Sequence, residues 1–187
     1  MEDLMSDTGW ADISAPYLRP RRPGDPDAWT AEAEAHGHVG TNQLRDVEEI
    51  RPPQAVADAL RLGPGDTAIV RRRLVLLDGR PTELADSYYP VGIAGGTRLA
   101  EARKIPGGAV TMLAELGYRP HKVEERVTAR PSTEPEQAAL GLRPQDWVLV
   151  LTRVSRTSAG TPYEASVMTM VADGRELRYE MTIGKET

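Results

Sequence analysis

The sequence contains no cysteine, and this absence excludes several kinds of chemistry. Without thiols the chain cannot form disulfides, thiolate metal sites or a cysteine nucleophile. Phenylalanine is also absent, so aliphatic side chains must fill most of the interior. No apolar run approaches the ~18 residues of a membrane-spanning helix, and the acidic N-terminus lacks the apolar core of a signal peptide. We therefore expect no membrane partner and a cytoplasmic location.

The chain carries more negative than positive charge. Lys and Arg total 23 against 28 Asp and Glu, which gives a formal net charge of −5 and a pI of about 5.3. Strong nucleic-acid binders usually carry a basic patch, so we expect no sequence-specific DNA binding by the chain itself. A length of 187 residues is typical of one domain with a sizeable core.

Common catalytic and cofactor motifs are missing as well. The sequence has no Gly-x-Ser-x-Gly elbow, no P-loop and no dinucleotide glycine fingerprint. His36 and His38 have metal-like spacing, but they flank Gly37 with no further ligand nearby, which is more typical of solvated loop residues. Since no nucleophile–base set is evident, we predict no catalytic residue, no metal site and no cofactor.

One pattern of about 25 residues occurs twice in the chain. Each copy reads Ala-Leu-x-Leu-x-Pro-x-Asp, continues through Val and Arg, and ends in Gly-x-Pro-x-Glu. The first copy runs from Ala59 to Glu83 and the second from Ala139 to Glu164, so the second turn has gained one residue. We predict that residues 54–90 and 134–171 each form a helix, a turn and a hairpin, related by a pseudo-two-fold axis.

Hydrophobic alternation and turn residues predict a mainly antiparallel sheet. Asp78-Gly79 is a strong hairpin dipeptide. The predicted strands cover residues 40–50, 68–77, 83–89, 121–130, 147–156, 163–171 and 176–183, the last three being consecutive antiparallel strands. The predicted short helices cover residues 26–36, 54–60, 98–103, 109–116 and 134–140. The first of these helices should begin at an Asp25 N-cap followed by Pro26. This pattern indicates an α+β fold whose helices cover one face of the sheet.

The first 25 residues are predicted to form an extended, proline-rich arm. Their basic cluster comprises Arg19, Arg21 and Arg22. The cluster could touch a phosphate or an acidic partner, or the arm could lie solvated on the domain or on a second subunit. Residues 26–187 are then expected to form the domain proper.

Charged residues of the first hairpin form a candidate site. Alternation places Arg71 and Arg73 on one strand face, and the turn brings Glu83 back beside them. Arg73 and Glu83 can then approach each other as a cross-strand ion pair on a solvated face. The same residues could instead line a charged cleft, in which guanidinium groups bind an anion. The second copy repeats the pair as Arg153 and Glu164.

Taken in order, these motifs resemble the UTRA domain, the effector-binding half of GntR-type transcription regulators of the HutC subfamily. The resemblance runs from about Val47 to Thr182. The motifs that carry it are Asp78-Gly79-x-Pro81-x-Glu83, Ser87-Tyr88-Tyr89-Pro90, Leu116-Gly117-Tyr118, Glu125-x-Val127-x-Ala129-Arg130, Gly160-x-Pro162-x-Glu164 and Leu177-x-Tyr179.

The resemblance implies a chorismate-lyase-like α+β fold, commonly dimeric, that binds a small effector such as a sugar phosphate or another polar metabolite. It also implies that strand arginines, the hairpin glutamate, the Ser-Tyr segment and a late tyrosine meet the effector. The ligand-binding residues expected in this sequence are Arg71, Arg73, Glu83, Ser87, Tyr89, Arg126, Glu164 and Tyr179.

The leading interpretation is an effector-sensing domain without catalytic activity, which forms a homodimer whose arrangement the effector biases. Two other interpretations stay open. A small enzyme of the chorismate-lyase type would turn its ligand over, since fold does not fix function. A ligand-free dimerisation partner of a full-length regulator would have a filled or collapsed cleft.

The sequence departs from the family pattern at its start. Members normally carry a winged helix-turn-helix ahead of this domain, and we do not expect one in the proline-rich residues that precede the resemblance. DNA is therefore expected to be reached only indirectly, or through a partner that has a helix-turn-helix.

Overall fold

A computed structural model describes residues 11–12, 15–22 and 25–179 of the chain. The strands are β1 (Ala11–Asp12), β2 (Gly40–Ile50), β3 (Ala68–Leu77), β4 (Arg80–Pro90), β5 (Lys122–Pro131), β6 (Trp147–Arg156), β7 (Pro162–Val171) and β8 (Glu176–Leu177). The α-helices are α1 (Ala28–Ala35), α2 (Gln54–Leu60), α3 (Val91–Ala94), α4 (Gly108–Glu115) and α5 (Glu134–Leu140). Two 3₁₀ turns cover Ala15–Leu18 and Arg98–Ala100.

Six of these strands form one antiparallel sheet in the order β2-β3-β4-β7-β6-β5. The sheet thus consists of two three-stranded halves, β2-β3-β4 and β5-β6-β7, which meet where β4 pairs with β7. At the tip of the first hairpin, Asp78 and Gly79 both adopt positive φ, at 49° and 77°, as a two-residue hairpin turn requires. The predicted antiparallel α+β architecture is therefore confirmed.

The two halves are related by a pseudo-two-fold axis perpendicular to the sheet. Equivalent residues of β4 and β7 differ by 81 in number, as Glu83 and Glu164 do. The pairing joins Glu83 to Met170 and Asp86 to Val167. Since Val167 is itself the equivalent of Asp86, the axis passes through that pair. The predicted internal repeat is confirmed.

Local details of the repeat are also duplicated. The Asp66 carboxylate accepts a hydrogen bond from the Gly63 N–H at 2.7 Å, and the Asp146 carboxylate accepts one from the Arg143 N–H at 2.8 Å. Each hairpin also contains a bulge one residue after its Gly-x-Pro proline. The shared Pro-x-Asp and Gly-x-Pro-x-Glu patterns thus encode the same backbone geometry twice.

Helices cover both faces of the sheet, so the prediction that they cover one face was wrong. On the first face, α2 packs on β7 and α5 packs on β4, so each half's helix covers the other half's strand. On the second face, α1, α3 and α4 pack over the same central strands. Ile69 and Val70 are adjacent in β3, so their side chains point to opposite faces of the sheet, and both are buried. Both faces therefore need to be covered.

Two predicted boundaries need correction. Helix α1 begins after Asp27, whose carboxylate accepts a hydrogen bond from the Thr30 N–H at 3.0 Å, so Asp25 and Pro26 precede the cap. The short helix predicted for residues 98–103 is a single 3₁₀ turn. The structure describes only part of the predicted N-terminal arm, and residues 1–10 lie outside the described ranges.

The last predicted strand also differs from expectation. β8 has two residues and pairs in parallel with β1, in a separate two-stranded sheet. A turn at Asp173–Gly174, with Gly174 at φ 69°, directs the chain away from the edge of β7, which is already paired on both sides. Residues 180–183 of the predicted strand lie outside the described ranges. None of the described helices is long and apolar enough to cross a membrane.

The reciprocal helix packing generates a stability prediction. Leu60 and Leu140 end α2 and α5 and are 4% and 5% exposed. Leu60→Ala and Leu140→Ala should each lower the free energy of unfolding by about 2–5 kcal/mol, because each leaves a cavity between a helix and the opposite half. Urea unfolding followed by circular dichroism and tryptophan fluorescence measures both.

The control is Val39→Ala, since Val39 is 63% exposed and its truncation should change stability by less than about 0.5 kcal/mol. Both leucine variants should unfold in one transition. A large loss at one leucine alone, or two separate transitions, would contradict the reciprocal packing.

Candidate functional site

A cavity of about 190 Å³ lies between the second face of the sheet and the segments that cover it. Its floor comes from β3, β4, β6 and β7. Its walls come from residues 17–21, the start of α1, residues 107–110 and Leu177. Gly107 and Gly108 have φ of 75° and 80°, a conformation that glycine adopts without strain. This turn brings the N-terminus of α4 to the cavity wall.

A chain of polar groups crosses the cavity floor. An Nη of Arg73 donates to Ser87 Oγ at 3.1 Å, and Ser87 Oγ lies 3.0 Å from Ser166 Oγ. Ser166 Oγ lies 3.4 Å from the Glu164 carboxylate, which also accepts from the Tyr89 hydroxyl at 3.1 Å. The two serine hydroxyls can donate in one direction, from the guanidinium towards the carboxylate, and such chains strengthen each bond.

The pairing of β4 with β7 assembles this chain. Residues of odd number on β4 face the cavity, and Ser87 lies opposite Ser166. Arg73 of β3 lies opposite Ala85 of β4, and Ser87 is the next residue of β4 on the same face. Alternation therefore explains which side chains share the face, and the β4–β7 register explains which of them meet.

The two duplicated arginines have different surroundings. Arg153 forms an ion pair with Glu125 at 2.6 Å, and their side chains are only 13% and 12% exposed. In the first half, Leu44 lies opposite Arg73 at the place where Glu125 lies opposite Arg153. Across the ranges that the structure describes, none of the ion pairs involves Arg73. Arg73 is thus a cavity-lining cation without an ion-pair partner among the described residues, although its charge acts to lower the pKa of Glu164.

The Glu164 carboxyl is held in an environment that disfavours its charge. Burial raises the pKa of Glu164, although Arg153 and the hydrogen bond from Tyr89 oppose this shift. Burial also raises the pKa of the Tyr89 hydroxyl, so that group remains a donor. Glu164 therefore adds less negative charge to the cavity than an exposed carboxylate would.

The structure brings five of the eight expected ligand-binding residues to this cavity. They are Arg73, Glu83, Ser87, Tyr89 and Glu164. Glu83 lies opposite Val75 on β3 and Met170 on β7, so it lines the end of the cavity away from Glu164. Whether these residues bind a ligand stays a prediction.

The other three lie elsewhere. Arg71 is buried, and its guanidinium donates to the carbonyl oxygens of Leu99, Glu101 and Arg103 at 2.7–2.9 Å; burial lowers its pKa. It therefore holds the loop between α3 and α4 against the sheet. Arg126 is exposed on the edge strand β5, and Tyr179, beyond β8, is 57% exposed. Their roles in binding likewise stay predictions.

Several cavity residues were not among those expected. Arg153 is predicted only as the duplicate of Arg73, and Ser166 and Trp29 are not among the predicted residues. The repeat makes Glu164 the equivalent of Glu83, and Ser166 lies two residues after Glu164 on the same face of β7. No local pattern indicates that Trp29 of α1 covers this face.

Part of the N-terminal arm lies over the cavity. The Tyr17 hydroxyl donates to Glu32 of α1, and the Arg21 N–H donates to Thr111 Oγ1 of α4 at 3.0 Å. Tyr17, Leu18, Arg19 and Arg21 line the mouth. The described part of the arm therefore lies on the domain, one of the two places considered for it.

The paired histidines are tied to their neighbours. His36 Nδ1 lies 2.9 Å from the Glu32 carbonyl oxygen, and His38 Nδ1 lies 2.7 Å from the Asp78 carboxylate. Among the described residues, no group of three or more His, Asp or Glu side chains is placed to hold a metal ion.

Comparisons with known proteins agree with this geometry. A family model described as the UTRA domain matches residues 35–174. An uncharacterized HTH-type transcriptional regulator of Streptomyces coelicolor is 33% identical over 151 residues, which cover 78% of this chain and 56% of the relative. The chain thus spans little more than half the length of that curated relative.

Solved structures show the same fold. The effector domain of PhnF from Mycobacterium smegmatis has a TM-score of 0.72 at 18% identity, covering 83% of this chain and 94% of that one. A GntR-family transcriptional regulator from Enterococcus faecalis has a TM-score of 0.61 at 18% identity, covering 78% and 100%. At these identities the likeness concerns the fold alone.

The raised pKa of Glu164 generates a prediction about pH. The folded protein holds this proton more tightly than the unfolded chain does, so the carboxyl's contribution to stability falls as pH rises from its ordinary value through the raised one. Glu164→Gln removes the titration. The stability of the variant relative to wild type should therefore increase between pH ~4 and ~8, as measured by urea unfolding at several pH values.

Exposed Glu124 of β5 provides the matched control, because Glu124→Gln also removes one carboxylate but lies opposite Val154, on the face of the sheet away from the cavity. A wild-type-to-Glu164→Gln difference that stays constant with pH would show that burial does not perturb this group.

Proposed function

The chain belongs to the UTRA domain family, and from that premise we propose that it senses a small polar or anionic metabolite for a GntR-type transcription regulator. The observation that carries the proposal is the cavity on the second face of the sheet, which Arg73 lines without forming an ion pair with any described residue. A partly buried charge normally has a counter-charge. The anionic group of an effector would supply it.

The polar chain supports the same assignment. Ser87 and Ser166 present hydroxyls beside Arg73, so an anion there would receive a guanidinium fork and neutral donors together. Glu83 and Glu164 offer acceptors for hydroxyl or amine groups of the effector. We propose these residues, together with Tyr89, as the binding site.

Three expected residues enter the proposal differently. Arg71 would shape the cavity wall through the loop that it holds. Tyr179 is supported by its match to a family motif, whereas Arg126 occupies an unspecified position inside the motif from Glu125 to Arg130. Both would act at the edge of the site.

We infer that the effector acts by shifting an equilibrium between arrangements of a homodimer, since a ligand favours whichever state binds it better. The lining of the cavity supports this, because Tyr17, Leu18, Arg19 and Arg21 belong to the predicted N-terminal arm and would contact a bound molecule. In this proposal residues 26–187 form the sensing domain, which works in the cytoplasm and reaches DNA indirectly or through a partner with a helix-turn-helix. The curated relative, an HTH-type regulator, supports that link.

The proposed role requires no turnover. The relatives are transcriptional regulators and effector domains rather than enzymes. A sensor releases its ligand unchanged, so recovery of an unaltered ligand after long incubation would separate it from a chorismate-lyase-like enzyme.

The first prediction from this proposal concerns Arg73. A metabolite that raises the melting temperature in a thermal-shift panel should lose about 10- to 150-fold in affinity in Arg73→Ala, because a charge-assisted hydrogen bond contributes about 1.5–3 kcal/mol. Calorimetric titration measures both proteins.

The matched control is Arg72→Ala. Arg72 is the next residue on β3, points to the opposite face and pairs with Asp46 and Glu48. Its loss removes the same charge without touching the cavity, so affinity should stay within about twofold of wild type. Equal affinities for wild type and Arg73→Ala would remove Arg73 from the site.

The second prediction concerns assembly. Light scattering coupled to gel filtration should give twice the chain mass both with and without the panel metabolite. Small-angle scattering should then show a change in dimer shape when the metabolite is added. A monomer under both conditions, or a dimer of unchanged shape, would contradict signalling through the dimer arrangement.

A further inference from the structure

The cavity floor straddles the pseudo-two-fold axis, so each floor position on β4 has an equivalent 81 residues later on β7. Two charged positions are the same in both halves. Glu83 is equivalent to Glu164, and Arg73 on β3 is equivalent to Arg153 on β6. An axis through the floor would therefore make the two ends of the cavity alike if the remaining positions also matched.

The remaining floor positions do not match. Ser87 is equivalent to Met168, Tyr89 to Met170, and Ser166 to Ala85. Each of these exchanges places the polar residue at the same end of the cavity and the apolar residue at the other. The divergence of the two halves has thus given one cavity a polar end and an end that is apolar apart from Glu83, which lies opposite Met170.

The surroundings reinforce this asymmetry. At the apolar end, Trp29 of α1 packs with Val75 and Ala85, and Met168 packs against the same cluster. Leu151 of β6 completes that end and is 3% exposed. At the polar end, Met112 and Leu113 of α4 lie in one cluster with Tyr89, and the N-terminal residues of α4 line the cavity, where the helix dipole favours negative charge. An occupant that fits both ends carries its charge at one side of an apolar body.

Charge on the floor sets how much negative charge the occupant can bring. Glu125 neutralises Arg153, which leaves Arg73 as the one described floor cation without an ion-pair partner. Glu83 lines the same cavity and opposes further negative charge. Of the rim arginines, Arg19 is exposed and Arg21 donates to the Pro26 carbonyl oxygen. This balance suits one negative charge better than the two of a phosphate monoester.

The volume limits the size of the occupant. A cavity of roughly 150 Å³ lined by apolar side chains holds a benzene molecule, so about 190 Å³ accommodates a single ring or a branched chain with a small acid group. Neighbouring residues along a strand are ~3.3 Å apart. The two to four residues that separate the polar end from the apolar end on β4 therefore match the length of such a molecule.

We propose that the effector is a small amphipathic monocarboxylate, with its carboxylate at Arg73, Ser87 and Ser166 and a compact apolar body against Met168, Met170 and Trp29. This inference rests on the proposed effector-sensing function and adds the chemical class of the effector.

The test compares three probes by calorimetric titration of the full chain. Benzoate has a carboxylate on an apolar ring, acetate has the carboxylate alone, and glucose 6-phosphate has a dianion on a polar body. Benzoate should bind at least about tenfold more tightly than either of the others, since single apolar groups in a hydrophobic pocket change affinity by about 10- to 200-fold.

Variants at Met168 separate the apolar end from the charge. Met168→Gln keeps the side-chain length but places an amide at the apolar end, and it should weaken benzoate about tenfold while leaving acetate unchanged. Met168→Leu conserves volume and polarity, so it should retain benzoate binding. Urea unfolding of both variants checks that each is folded.

The outcomes distinguish this inference from the function on which it rests. Tighter binding of glucose 6-phosphate, or of any polar-bodied anion in the metabolite panel, overturns the amphipathic class, while its loss in Arg73→Ala keeps the effector-sensing role. Benzoate binding that neither Arg73→Ala nor Met168→Gln weakens places the ligand outside this cavity and overturns the inference. If no probe binds, the inference falls, and if no panel compound binds either, the effector-sensing role falls with it.

Discussion

Hydrogen bonding between β4 and β7 joins the two halves of the sheet, and the rest of the architecture depends on its register. The pairing places Ser87 against Ser166 and brings Tyr89 within hydrogen-bonding distance of Glu164. It also lets α2 and α5 pack on strands of the opposite half. A slip of one residue would turn every side chain of one half to the other face. The serines would leave the cavity, and the helices would meet polar residues.

Much of the fold can be predicted from the sequence, because the residues that determine its strands and turns are close together in the chain. Alternating apolar residues locate β3, Asp78-Gly79 fixes the first hairpin, and the repeated Pro-x-Asp turn reveals the duplication. The β4–β7 register is not local, since it joins residues about 80 positions apart that no shared turn connects. The same limit explains the helices on the second face, which pack on strands distant in sequence, and the brief parallel pairing of β8 with β1.

The candidate site shows the same division. Alternation correctly placed Arg71 and Arg73 on one face, but the structure uses them differently, because only Arg71 meets the free carbonyl groups of the loop at residues 99–103. The charge pairs predicted from the repeat, Arg73 with Glu83 and Arg153 with Glu164, do not occur among the ion pairs of the described residues. Arg153 lies in a nearly buried ion pair with Glu125, whereas Leu44 occupies the corresponding place beside Arg73. The difference therefore lies in the residue type at equivalent positions, leucine in one half and glutamate in the other.

The reciprocal packing of α2 and α5 bears on how such a chain could have arisen. One half alone would expose the strand that the other half's helix covers, so a free half would need a second copy of itself in the same position. In a dimer of identical halves, every substitution would appear at both ends of the shared cavity. Symmetry-equivalent positions could then never hold a serine at one end and a methionine at the other. Gene duplication and fusion remove that constraint. Once both halves lie in one chain, each end of the cavity can evolve separately, as Ser87 and Met168 have done.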